Sequence, residues 1–283
     1  MSKRFNIGVQ MKDKDDNYKN FYYHPVIHAL VKGGIELMND NRHFFGIITG
    51  NVGDGKSNIA AQIVALWEHL HKRRISFENV TWTSQKFVEK TDRDDNKTYA
   101  IWWDEAITGA TGKKMALTAE GEMLKIALVT KRFKQHFYIL IVDEIEEYSW
   151  KLIKMANFWI HVKTHYRERG YCDIYLKKKK IKQIYQAFKY YKWDWSRITI
   201  RPDLKARFNN YLPYLFDEKE YDKMKLQETQ VAKKEVKVSN KKNLIIEAKK
   251  KGFKVKEIQK LYDVSDTYVY KVLNNQTNQL DNI

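Results

Sequence analysis

Short, uninterrupted apolar runs alternate along this chain with stretches whose apolar residues recur every three or four positions. Residues 43–49 (HFFGIIT), 80–83 (VTWT), 99–103 (YAIWW), Phe137–Val142 (FYILIV) and 158–162 (FWIHV) are of the first kind. They lack the in-out alternation of a half-exposed strand, so they read as strands buried on both faces. Between them the spacing predicts helices over 56–72, 84–90 with Ser84 as cap, 116–133 and 149–156. In 116–133 the side formed by Ala116, Met123, Ile126, Ala127 and Phe133 is the one to bury. The polar stretch 91–98 (TDRDDNKT) reads as a surface loop. Strands and helices alternating at this pitch predict a three-layer α/β domain with a mostly parallel sheet.

After Gly170 the texture changes. Residues 171–176 and 183–188 read as a hairpin around the lysine run 177–180, which is either a solvated tip or a contact for phosphates. The stretch 189–220 is rich in aromatics (Trp193, Trp195, Phe208, Tyr211, Tyr214, Phe216) and holds Pro202 and Pro213. Those rings suit packing for a lid or subunit contact, with stacking platforms for single strands as the other reading. Residues 221–242 are charged and poor in apolar positions, as a linker or an exposed helix would be. Three short helices follow: 244–250, ending near Gly252; Val255–Tyr262, with Ile258 and Leu261 on one side; and a third capped by Ser265, with Val269, Val272 and Leu273 inward. The organisation is thus an N-terminal extension (1–42), an α/β core with a basic, aromatic C-terminal portion (43–220), a charged linker (221–242) and a small all-helical domain (243–283). No repeat of solenoid period is present.

Composition narrows the classes. The longest apolar run, Phe137–Val142, falls far short of the ~18 residues a membrane span needs, and the first residues hold no apolar core of leader length, so secretion is not expected. The single cysteine, Cys172, excludes an internal disulfide framework and a Cys-rich zinc site; it fits a reducing cytosol and reads as a buried strand residue. The 8 histidines show no metal-ligand spacing, and 12 Gly with 3 Pro favour long helices and buried strands over a loop-rich fold. The net charge of +17 is uneven: residues 171–283 carry 26 Lys+Arg against 14 Asp+Glu, residues 1–170 carry 26 against 21. A basic C-terminal part points to phosphate-rich partners, nucleic acid before membrane, or else to a lysine-rich solvated surface.

Gly50-Asn51-Val52-Gly53-Asp54-Gly55-Lys56-Ser57 fits G-x-x-x-x-G-K-[ST] at every fixed position, between an apolar strand and a helix. Glycines there let successive N–H groups turn toward phosphate oxygens, and the helix N-terminus through Asn58 adds partial positive charge. Lys56 would reach the β- and γ-phosphates of ATP and Ser57 would ligate Mg²⁺. The run YAIWW ends in Asp104-Glu105, which supplies the acids such a loop requires. Asp104 would hold Mg²⁺ through water and Glu105 would polarise the attacking water. Two adjacent acids favour ATP hydrolysis over phosphorylation of a small molecule. Asp143-Glu144, at the end of FYILIV, is the competing Mg²⁺ site.

Over residues 43–165 the chain resembles the FtsK/HerA family of DNA-pumping ATPases. The resemblance rests on the phosphate-binding loop, the strand ending Asp104-Glu105, and MLKIALVTKRFKQHFYILIV followed by KLIKMANFWIHV. It implies a RecA-like core in which Arg132 is an arginine finger, Asp143 a sensor and Ala156-Asn157 the pair that opens the next strand. It also implies a homo-oligomeric ring, often of six subunits, driving duplex DNA through a central pore. The family's sensor glutamine is Asp143 here, and its glycine before that strand is His136. Arg132 could equally complement a helix dipole, with Arg167 and Arg169 as alternative fingers. Residues 243–275 resemble the helix-turn-helix of resolvases and phage repressors, with Gln259 in place of a small residue and Asp263 in place of glycine. That resemblance implies a reading helix offering Ser265, Asp266, Thr267, Tyr268 and Lys271 to a major groove; a protein-contact bundle is the other reading.

The sequence therefore leads us to expect a cytosolic Mg²⁺-dependent ATPase that pumps, packages or transfers DNA for a mobile element, virus or plasmid. The rival is a non-translocating ATP switch assembling on DNA for replication initiation, partition or transposition. A metabolite kinase would explain the loop but neither the basic tail nor the terminal helices.

Overall fold

The computed structural model describes residues 6–40, 42–91, 99–104, 136–142, 150–165, 168–191, 197–250, 254–262 and 264–280. Its chain divides into two compact units, Met1–Thr229 and Gln230–Ile283.

The first unit opens with an antiparallel hairpin, β1 (Ile7–Lys12) and β2 (Tyr18–Tyr23), and helix α1 (Pro25–Asn39), which starts with His24 as cap and proline in its first turn. There follow β3 (Phe44–Thr49), α2 (Lys56–Leu70), a 3₁₀ turn (Phe77–Asn79), β4 (Val80–Thr81), α3 (Ser84–Thr91), β5 (Ala100–Trp103), β6 (Phe137–Val142) and α4 (Trp150–Ile153). Then come β7 (Phe158–His165), β8 (Glu168–Tyr175), α5 (Lys178–Tyr190), β9 (Leu204–Arg207), α6 (Leu212–Leu215) and α7 (Glu218–Lys250). Seven strands form one sheet in the order β4-β5-β6-β3-β7-β8-β9. The pairings from β4 through β7 are parallel, and β8 and β9 continue antiparallel.

The central strand explains the unbroken apolar runs. In β3, Phe44 and Ile48 enter a cluster with Ile59, Ile63 and Trp67 of α2, whereas Phe45 and Ile47 enter a second with Phe87 of α3 and Ile181, Ile184 and Phe188 of α5. The sheet is covered on both sides, so neither set of side chains is free to be polar. Gly46, between them, is where a Cβ would run into the ring of Phe158 on β7. Gly46→Ala should therefore lower the urea midpoint by overpacking, at a cost of about 1–3 kcal/mol; an unchanged midpoint would show that Phe158 can move aside.

Two expectations are refined. The described residues of the N-terminal extension pack with the α/β core: Met11, Phe21, Tyr23, Ile27, Val31 and Met38 lie in the same cluster as α2. The hairpin around 177–180 is absent. Residues 183–188 lie in α5, where Ile181, Ile184 and Phe188 follow a helical three-then-four spacing onto the sheet. The charged stretch 221–242 is helical, as one of its two readings had it, and is continuous in α7 with the helix predicted over 244–250. Cys172 is buried on β8 as expected. Phe208 and Phe216 are buried, and Tyr211 sets its ring edge-on to Phe21 at 4.9 Å, so these aromatics pack. The helix over 116–133, Trp193 and Trp195 lie outside the described residues.

The second unit has its own small core. Ile245 and Ala248 at the end of α7 meet Ile258 of α8 (Val255–Tyr262) and Val269 and Val272 of α9 (Asp266–Leu280). Ser265 Oγ accepts from the Tyr268 backbone N–H at 3.2 Å, capping α9 as the sequence predicts.

Candidate functional site

The glycine loop 50–55 leaves β3 at Thr49 and enters α2 at Lys56, at the carboxyl edge of the parallel strands, where open α/β sheets bind ligands. Gly50 is forced: a side chain there would meet the Val162 carbonyl oxygen at 2.6 Å. Gly55 takes a left-handed conformation (φ 98°) as the N-cap of α2, with no side chain capping the helix. Lys56 is 8% exposed, and its ammonium folds back on the loop, donating to the carbonyls of Gly50 and Asn51, each at 2.9 Å.

Two residues assigned to nucleotide contact also make hydrogen bonds within the protein. Asp54 accepts from the Asn51 N–H at 3.0 Å and from Thr164 Oγ1 at 2.7 Å, tying the loop to itself and to β7. Asn58 Oδ1 accepts from the Leu212 N–H at 3.1 Å and so anchors the start of α6. Val52 and Gly53 form the outer turn, with Val52 88% exposed.

Asp104 meets this loop although 47 residues separate it from Ser57. β6 lies between β5 and β3, so Asp104 ends a strand two places from the loop strand. Its Oδ1 accepts from Ser57 Oγ at 2.9 Å, and its carboxylate is 1% exposed. The far side of the carboxylate is also occupied: Oδ2 accepts from the Tyr221 hydroxyl at 2.8 Å, and Lys225 Nζ stands 3.8 Å away. Tyr221 is buried against the rings of Phe77, Trp82 and Phe216. Burial, then the Asp104 charge, holds its phenol well above the ordinary tyrosine pKa, so it remains a donor. The buried Glu68 fixes the start of β5, accepting from the Ala100 N–H at 2.9 Å and from Asn79 at 3.1 Å while pairing with Arg73 at 2.5 Å.

A hydroxyl and one carboxylate, both hard oxygen donors, suit Mg²⁺, which keeps waters and takes phosphate oxygens for its remaining positions. Ser57 and Asp104 would hold it. Among the described residues no group of three or more His, Cys, Asp or Glu side chains converges as an all-protein metal site.

On the other flank, Trp159 Nε1 donates to Thr49 Oγ1 at 2.8 Å, and His161 Nδ1 lies 3.2 Å from the same hydroxyl. Burial first, then the charges of Lys163 and Lys56, pushes the His161 pKa down to about 3 from 6.5. Between those values the unfolded chain binds the extra proton, so stability is full above pH 6.5 and falls as pH drops toward 3. His161→Gln should flatten that segment of a plot of urea midpoint against pH. An unchanged slope there would mean that other groups carry it.

Glu105, Arg132, Asp143 and Arg167 lie outside the described residues; Arg169 is exposed on β8. Of the lysine run, Lys178 donates to the carbonyls of Lys154 and Met155 at the end of α4, and Lys180 pairs with Asp203 at 2.6 Å. Lys177 and Lys179 are exposed, as are Lys182 and Lys189 further along α5. In the second unit Ser265 and Asp266 serve the start of α9, where Asp266 Oδ1 accepts from the Thr267 N–H at 2.8 Å. Tyr268 packs partly into the core, whereas Thr267, Tyr270 and Lys271 face outward.

The sequence reading missed Tyr221, Lys225 and His161. Tyr221 and Lys225 sit in a charged stretch whose pattern gives no hint of burial, and His161 looks like one more residue of an apolar strand. Compared with protein-family models, curated proteins and solved structures, the chain finds no match.

Proposed function

We propose that this chain is a Mg²⁺-dependent ATPase of the FtsK/HerA kind that acts on DNA as a homo-oligomer, with the α/β unit as motor and the terminal helices as a DNA reader. The observation that carries it is the joining of Ser57 to Asp104 across 47 residues beside a lysine that already spans its own glycine loop. A coincidental glycine turn has no reason to meet a buried carboxylate from a strand two places away. The basic C-terminal portion supports DNA as partner: residues 177–190 hold six lysines and no acid. In this reading Glu105 activates water, Asp143 senses the γ-phosphate and Arg132 acts across a subunit boundary in a ring such as one of six copies, within the cytoplasm of the cell or host. No helix among the described residues is long and apolar enough to cross a membrane.

Displacement of a third strand from a DNA triplex, measured with ATP present, tests the motor. Processive displacement supports it; ATP turnover without displacement would make the protein a switch that assembles on DNA. The reader is tested by Thr267→Ala with Lys271→Ala, both outward on α9. Competition between a selected site and random duplex at fixed salt should show lost discrimination, each good base contact being worth about 1–3 kcal/mol, with ATPase unchanged. Equal discrimination would make the unit a protein-contact bundle.

A further inference from the structure

We propose that Lys225 is the in-cis cation by which the loop distinguishes a nucleoside triphosphate from a diphosphate, an inference that rests on the ATPase reading above. Asp104 is enclosed by two hydrogen-bond donors, Ser57 on Oδ1 and Tyr221 on Oδ2, and by the charge of Lys225 near Oδ2. Tyr221 and Lys225 stand four residues apart on α7, one turn, and therefore share a face. Tyr221 is wedged among Phe77, Trp82 and Phe216, which fixes that face over the carboxylate. The Lys225 ammonium is thereby held beside Oδ2 of the carboxylate whose Oδ1 Ser57 engages. Its side chain remains 27% exposed, so the flexible stem has room to change rotamer.

The charges then dictate what Lys225 does. Asp104 carries a single negative charge. Once Ser57 and Asp104 hold a divalent ion, a second cation about 4 Å from the same carboxylate is repelled. The terminal phosphate of a bound triphosphate would offer Lys225 a second anion, and Lys225 would move from Oδ2 to a phosphoryl oxygen. A diphosphate offers no such partner, so Lys225 stays on Asp104 and opposes the ion. Tyr221 keeps its hydrogen bond to Oδ2 in either case and is a positioning residue: it aims Oδ1 at the ion and Lys225 at the phosphate.

The experiment measures Mg²⁺-dependent affinities of the full chain for fluorescent ATP and ADP analogues. Lys225→Met, similar in length and without the charge, should lower the ATP-over-ADP preference about tenfold with ADP affinity retained or raised, and Lys225→Arg should restore it. An unchanged preference in Lys225→Met would overturn the proposal and make the pair a structural counter-ion contact. Equal loss of both nucleotides would also overturn it, because Lys225 would then support the loop rather than read the phosphate. Should Lys225→Met melt early, Lys225→Gln is read by the same criteria. A wild-type chain that binds neither nucleotide would instead overturn the ATPase reading, and this inference with it.

Discussion

Lys56→Ala should abolish ATP binding and turnover while DNA binding persists. Lys56 is 8% exposed and its ammonium holds the Gly50 and Asn51 carbonyls, so the loop is set around it. On the proposed reading the same group would make charge-assisted contacts to the β- and γ-phosphates, roughly twice as strong as neutral ones. Removing it should cost a hundredfold or more in affinity, about 3 kcal/mol. The fold should survive, because Lys56 lies at the edge of the core and Asp54 still ties the loop to Thr164. DNA affinity should stay within a few-fold, because the excess positive charge lies in residues 171–283. Fluorescent-nucleotide titration, phosphate release and filter binding on one preparation decide it. Unchanged hydrolysis would remove the nucleotide site altogether.

What could be read from the sequence follows from how local the cause was. β3, β5 and β6 stand where their apolar runs place them, because burial on both faces leaves no other composition for a short strand. The loop was legible because its glycines answer a backbone requirement that can be seen residue by residue. The segment 177–190 was misread: its lysines mask the spacing of Ile181, Ile184 and Phe188, and an apolar residue every few positions in a short charged stretch fits either period. The N-terminal hairpin and α1 were left outside the core because only tertiary contact reveals that Phe21 and Val31 share a cluster with α2. Tyr221 and Lys225 were illegible for the same reason: their role depends on a carboxylate that is more than a hundred residues distant in the chain.

Glu105→Gln should bind ATP like the wild type, turn it over at least about a hundredfold more slowly, and stabilise the oligomer. The amide keeps the shape of the acid but cannot take a proton from water, and a hundredfold corresponds to about 2.7 kcal/mol in the barrier. Asp143→Asn should be milder, and the sheet gives the reason. β5 and β6 run parallel with Trp103 beside Leu140, and β6 continues to Val142, beside Thr49 at the mouth of the loop. Asp104 follows β5 on the side where ligands bind, and it is Asp104 that Ser57 engages. On the proposed reading the acid next to Asp104 in sequence serves the attacking water, and Asp143 senses the terminal phosphate. Single-turnover phosphate release on both variants, with nucleotide affinity measured in parallel, separates the roles. If Asp143→Asn is the dead variant and Glu105→Gln is active, Mg²⁺ and the attacking water belong to Asp143-Glu144, and the bond between Ser57 and Asp104 is a structural tie of the unloaded loop.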